Sequence, residues 1–215
     1  MLASRRLARR TSATALIAIA SLAAGAGVAN AGVLVASAPS CDAQALSKPF
    51  TPWLDVADYT ALPGGNFEGD GAGWSTTGTA GVAAGNESFH VGGAADDQSL
   101  ALSAGGSATS PTICAGLEHP TLRFFAKRRS TSLLGSLSTL RVDALVETSL
   151  GGVLTVPIGV VASGGSWQPT LPMAVVANLL PLLPGEHTPI AFRFTAQGGD
   201  WSVDDVFVDP YGRKP

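Results

Sequence analysis

Hydrophobic and polar residues alternate along much of the chain after residue 98. In residues 139–147, Leu140, Val142, Ala144 and Val146 fall on one parity, and Arg141, Asp143, Leu145 and Glu147 on the other. A period of two puts successive side chains on opposite faces of a strand, so this run is expected to turn one face inward and the other mostly to water. Residues 189–195 read the same way, with Ile190, Phe192 and Phe194 set against Ala191, Arg193 and Thr195. Further β-rich runs lie at 99–102, 121–127, 153–161 and 201–209. Gly151-Gly152 is expected to turn a hairpin between 139–147 and 153–161, and Gly164-Gly165 and Gly198-Gly199 mark other connections. No segment beyond residue 40 carries a sustained apolar stripe at helical spacing, so the pattern predicts an all-β, mostly antiparallel sandwich or barrel. The exception is 171–184, LPMAVVANLLPLLP, where 173–180 is expected to form a short helix or an apolar loop between prolines. Its apolar content predicts that it packs over an open end of the sandwich rather than serving as a partner surface.

The first residues change the picture by setting a compartment. Arg5, Arg6, Arg9 and Arg10 precede an apolar run from 14 to 28, and Ala29-Asn30-Ala31 follows it. A basic start, a short apolar stretch and a small-x-small triplet make a secretory signal peptide, with cleavage expected after Ala31 or, as second choice, after Ala38. Residues 1–31 are then the signal, 32–40 a flexible lead-in, 41–211 a single domain and 212–215 a tail. Removing those four arginines from 13 basic residues leaves 9 against 16 acids, a net charge of −7. That balance disfavours nucleic acid and anionic lipid as partners, and no membrane span is expected once the signal is gone. Cys41 and Cys114, the two cysteines, both lie in the exported part, where an oxidising compartment favours a disulfide. Such a bridge would remove about 4 to 5 kcal/mol of denatured-state freedom in the chain-entropy model.

Two stretches carry a resemblance. GGNFEGDGAGW, residues 64–74, resembles the opening strand of jelly-roll domains of the galactose-binding and carbohydrate-binding-module type, and WSVDDVFVDP, 201–210, is similar to their closing strand. Taken whole, 41–211 also resembles a group of exported proteins of actinobacterial type through PFTPW, GGNFE, GNESFHV, SATSPTIC, HPTLRFFA, WQPT, AFRFT and WSVDDVFVDP. That second likeness implies a fold and a compartment but no activity. The jelly-roll resemblance implies that Trp74 and Trp201 fill the core and that the first and last strands meet. It also implies a structural calcium held by Glu68 and one of Asp204 or Asp205, with Asn66 as a further candidate, since calcium takes several hard oxygen ligands.

The inventory for catalysis is thin. His90, His119 and His187 are scattered, no serine lies in G-x-S-x-G, and the acid pairs Asp96-Asp97 and Asp204-Asp205 are neighbours that a strand would turn to opposite faces. No catalytic residue is nominated. A sugar-binding reading asks for rings beside polar groups. With Trp74 and Trp201 assigned to the core, Trp53, Tyr59, Trp167 and Tyr211 are the candidate ligand contacts. Lys127-Arg128-Arg129 is a basic cluster, read as a solvated hairpin tip rather than a contact for acidic polymers. The expectation is a noncatalytic secreted module that binds glycan or cell-wall polymer. The alternative is a structural or protein-interaction domain of the cell envelope with no carbohydrate ligand.

Overall fold

The computed structural model describes residues 44–116, 121–131, 135–147, 152–162, 164–175 and 188–209. In chain order its strands are β1 (Thr60–Ala61), β2 (Ser75–Thr77), β3 (Ala80–Ala84), β4 (Gln98–Leu102), β5 (Ser107–Thr109), β6 (Ile113–Ala115) and β7 (Thr121–Arg128). They continue with β8 (Thr139–Glu147), β9 (Val153–Val161), β10 (Gln168–Pro169), β11 (Met173–Ala174), β12 (Thr188–Gln197) and β13 (Trp201–Val208). One sheet runs β10-β7-β13-β4-β3, with β1 also on β13 and β11 also on β7. The other runs β2-β5-β12-β8-β9, with β6 also on β12. All pairings are antiparallel, and the two sheets form a β-sandwich of the jelly-roll type. Among the described residues no helix is long and apolar enough to cross a membrane.

The expected inward faces meet between the sheets. Leu140, Val142, Ala144 and Val146 of β8 and Ile190, Phe192 and Phe194 of β12 join Leu122, Phe124, Trp201 and Val203 in one buried cluster. Apolar burial of this kind contributes roughly 25 cal/mol for each Å² removed from water. Strand β8 departs from the simple alternation on its other face. Asp143 is buried because Arg141 holds its Oδ1 at 2.7 Å and Arg193 reaches its Oδ2 at 3.5 Å, and Leu145 is covered by Ala191. Every residue of β13 is buried, so the last strand is covered on both faces.

Two expectations are corrected. Trp201 is fully buried, but Trp74 is only half-buried; it packs on Phe67 and Phe194 at ring distances of 4.8 and 5.7 Å while its indole Nε1 donates to Pro63 O. Met173 and Ala174, expected at the start of a helix or loop, instead pair with Leu122 and Thr121 as a short edge strand. Residues 176–187, the rest of that apolar stretch, lie outside the described residues, as do the signal peptide, Gly151, Cys41 and Tyr211. Cys114 falls on β6, opposite Pro189 of β12.

Candidate functional site

Residues 44–59 lie against the outer face of the first sheet, where Phe50 and Tyr59 join Phe125 and Phe207, and a bridge between Ser47 and Tyr59 closes the segment on itself. There, Phe50 sits among Tyr59, Phe125 and Phe207 at ring distances of 4.9, 5.6 and 5.6 Å, a second and smaller apolar cluster. A 3₁₀ turn at Thr51–Trp53, closed by Leu54 at φ 63°, then swings Trp53 back toward Phe125 and Phe89. Edge-to-face rings at 4.8 to 5.4 Å hold the indole in place while leaving it half-buried.

Beside this ring lies a shallow, wide-open groove of about 670 Å³. Its rim is apolar, with Leu54 93% and Leu171 83% exposed. Its lining also contains polar side chains, among them Asp55, Thr121, Arg123 and Asp209. Arg123 is one charged residue in the apolar run Leu122 to Ala126, and it lies on the outer face because its neighbours Leu122 and Phe124 take the core. Its guanidinium pairs with Asp55, donates from Nε to Thr170 O at 2.7 Å and covers the Phe50 ring. Asp55 also accepts from Tyr59 Oη at 2.7 Å and from Ala57 N–H at 3.1 Å. Burial would push the Asp55 carboxyl up, but these donors and the Arg123 charge hold it below its usual 3.8. Tyr59 is pushed up to about 12, first by burial and then by Asp55.

Asp209 is 8% exposed and has a poorer set of partners. The Thr121 hydroxyl donates to it at 3.4 Å, and no ion pair to it is present among the described residues. Burial first, and then the charges of Asp55 and Asp58, raise it to about 6.

The proposed calcium ligands lie at a different corner, where a loop spanning 85–97 returns to β13. The Asp204 carboxylate accepts from Glu87 N–H at 2.8 Å and from its own neighbour's, Asp205, at 2.9 Å. Asp205, at φ 46°, turns its carboxylate to Gly92 N–H at 3.0 Å. Glu68 Oε1 accepts from Asp97 and Gln98, and the buried Glu87 carboxylate accepts from Phe89 and Val91. Burial is the first cause that lifts Asp204 to about 8 and Asp205 to about 7, with neighbouring acids adding to it. Glu68, Asp204 and Asp205 thus share a neighbourhood but spend oxygens on backbone amides, and no three His, Cys, Asp or Glu side chains among the described residues are disposed around a metal. Both Asp205 and Asp96 crowd the backbone at Gly92: a Cβ there would sit 2.5 Å from Asp205 Oδ1 and 2.6 Å from Asp96 Oδ2, so only glycine fits, and the latter oxygen has no hydrogen-bond partner among the described residues.

Of the nominated rings, Trp53 lines the groove. Tyr59 lines it too but is 1% exposed with its hydroxyl committed to Asp55, so its ring offers no stacking face. Trp167 is 6% exposed and lies beneath the Lys127 ammonium, 4.9 Å from its ring centre, so it too is covered. Sequence reasoning missed Asp55, Arg123, Asp209 and Glu87. A lone arginine inside the apolar run at 122–126 was the available signal for Arg123; the three acids lie in polar loops or at a strand end, where no periodicity singles them out.

No family model matches the sequence, and no curated protein matches it. Among solved structures the chain is similar to the CBM22-1 xylan-binding domain of Paenibacillus barcinonensis, at TM-score 0.47 and 12% identity over 73% of this chain and 97% of that one. A second xylan-binding domain from CBM22 gives 0.45 and 14% over 75% and 99%. The CBM22-1–GH10 modules of a Clostridium thermocellum xylanase, complexed with xylohexaose, give 0.45 and 17% over 72% of this chain and 28% of that one. Likenesses this distant carry no ligand across to the present chain.

Proposed function

We propose that this protein is an exported, noncatalytic module that binds glycan, and that the groove beside Trp53 is where it does so. The observation that supports this is the groove itself: a ring fixed by its neighbours, an apolar rim and hydrogen-bonding side chains along one open trough. Sugar rings present apolar C–H faces that stack on aromatics and hydroxyls that need polar partners, and the lining supplies both. Hydrolysis would need two working carboxyl groups across a glycosidic bond. Here Asp55 is committed to Arg123 and Tyr59, leaving Asp209 alone.

Binding of the exported protein to a panel of oligosaccharides tests the reading. Trp53→Ala should weaken binding at least about tenfold in protein that still unfolds cooperatively, since a lost stacking contact is worth roughly 0.5 to 1.5 kcal/mol beyond the area it buries.

A second reading, an envelope protein-interaction domain, draws on the exposed Leu54, Val56 and Leu171 at the same rim. Protein capture without any glycan binding would favour it. We also carry calcium as part of the proposal: Glu68 and one of Asp204 or Asp205 would hold it, and it would neutralise acids clustered around β13.

A further inference from the structure

Among the described residues, the groove carries a negative charge that no cation answers. Of the acids near it, Asp55 is paired with Arg123, and Asp58 with Lys48 at 2.9 Å. Arg123 has its Nε on Thr170 O and its Nη1 on Asp55. Among the described residues, Asp209 is left with one long hydroxyl contact to Thr121, although more than nine-tenths of its surface is removed from water. A carboxylate so placed is costly when ionised without a cation, and burial together with Asp55 and Asp58 accordingly raises it to about 6.

The three kinds of sugar ligand would meet this carboxylate differently. A uronic acid or sulfated sugar brings a like charge into a groove that already has an excess of acid. A neutral sugar offers hydroxyl donors and leaves the charge in place. A sugar with a free amino group offers an ammonium that donates hydrogen bonds and neutralises the charge together, while its ring retains C–H faces for the apolar wall.

Resting on the glycan reading above, we propose that the ligand of this groove is a glycan carrying free amino groups, with the ammonium on Asp209 and the sugar face against Trp53. The preference is therefore for glucosamine-type units over their N-acetylated or neutral counterparts.

Titration calorimetry of the exported protein near neutral pH, with hexamers of matched length, tests this. The probes are a glucosamine hexamer, its fully N-acetylated form, xylohexaose and a galacturonic acid hexamer. The glucosamine hexamer should bind about 10- to 100-fold more tightly than the N-acetylated one, the range expected for one charge-assisted bond. Asp209→Asn, which keeps the side-chain shape, should reduce that preference to within about threefold while leaving weak binding of the neutral hexamers in place. Independently of any variant, the wild-type preference should shrink as salt is raised, because an ion pair is screened and stacking is not. Equal or tighter binding of the N-acetylated or neutral hexamer by the wild-type protein would overturn the inference and leave the glycan reading standing. Binding of none of the four would overturn both.

Discussion

Arg123 shows how one side chain joins the fold to the site. It anchors the 44–59 segment through Asp55, fixes Thr170 between β10 and β11 and lies over Phe50. Asp55 is held below its usual 3.8 in the folded protein, so it contributes stability that is fully present above that value and is lost as pH falls through the lower folded value. Asp55→Asn should therefore destabilise the protein by about 1 to 3 kcal/mol at pH 7, because Arg123 is left buried beside a neutral partner. The gap should narrow as pH falls from about 4 through the lower folded value, where the wild-type carboxylate also becomes neutral. Urea unfolding at the two pH values checks it, and a gap that stays constant would contradict the pairing described here. Trp53 could be nominated from its sequence because a tryptophan outside the assigned core has few bland uses. Asp55 and Asp209 could not, because nothing local distinguishes an acid that faces a buried arginine from one that faces water.

At the level of elements, the longer β-rich runs were the legible ones. β8 and β9 fall where 139–147 and 153–161 are expected, and β12 and β13 differ from their expected runs only at the ends. Strands β2, β5 and β6 are three residues each and β10 and β11 two, too short for periodicity to mark them. The 85–97 loop was equally illegible, since its order comes from carboxylates of Glu68, Asp204 and Asp205 distant in sequence. That loop also carries Phe89, which packs against Trp53. If calcium binds between Glu68 and Asp205, millimolar calcium should raise the melting temperature by several degrees over chelator, and Asp205→Asn should abolish the rise. An identical melting curve with calcium and with chelator would reject the ion.

On the scale of the whole molecule, the two-sheet architecture followed from alternation and from the absence of helical stripes, while the groove did not. It exists because 44–59 folds back over a sheet face that an isolated strand pattern would assign to water. Export and the disulfide rest on the sequence, and mass mapping of the secreted protein tests both: it should begin at Gly32 and contain Cys41 linked to Cys114, and free thiols at both positions would exclude the bridge. The central claim is that the groove beside Trp53 binds glycan. Its most direct test is calorimetric titration of the oligosaccharide panel into wild-type protein and Trp53→Ala, both shown to be folded. Saturable binding by the wild type, weakened at least about tenfold in the variant, is the predicted result. Equal affinity in the two proteins, or no binding of any glycan by the wild type, would contradict it.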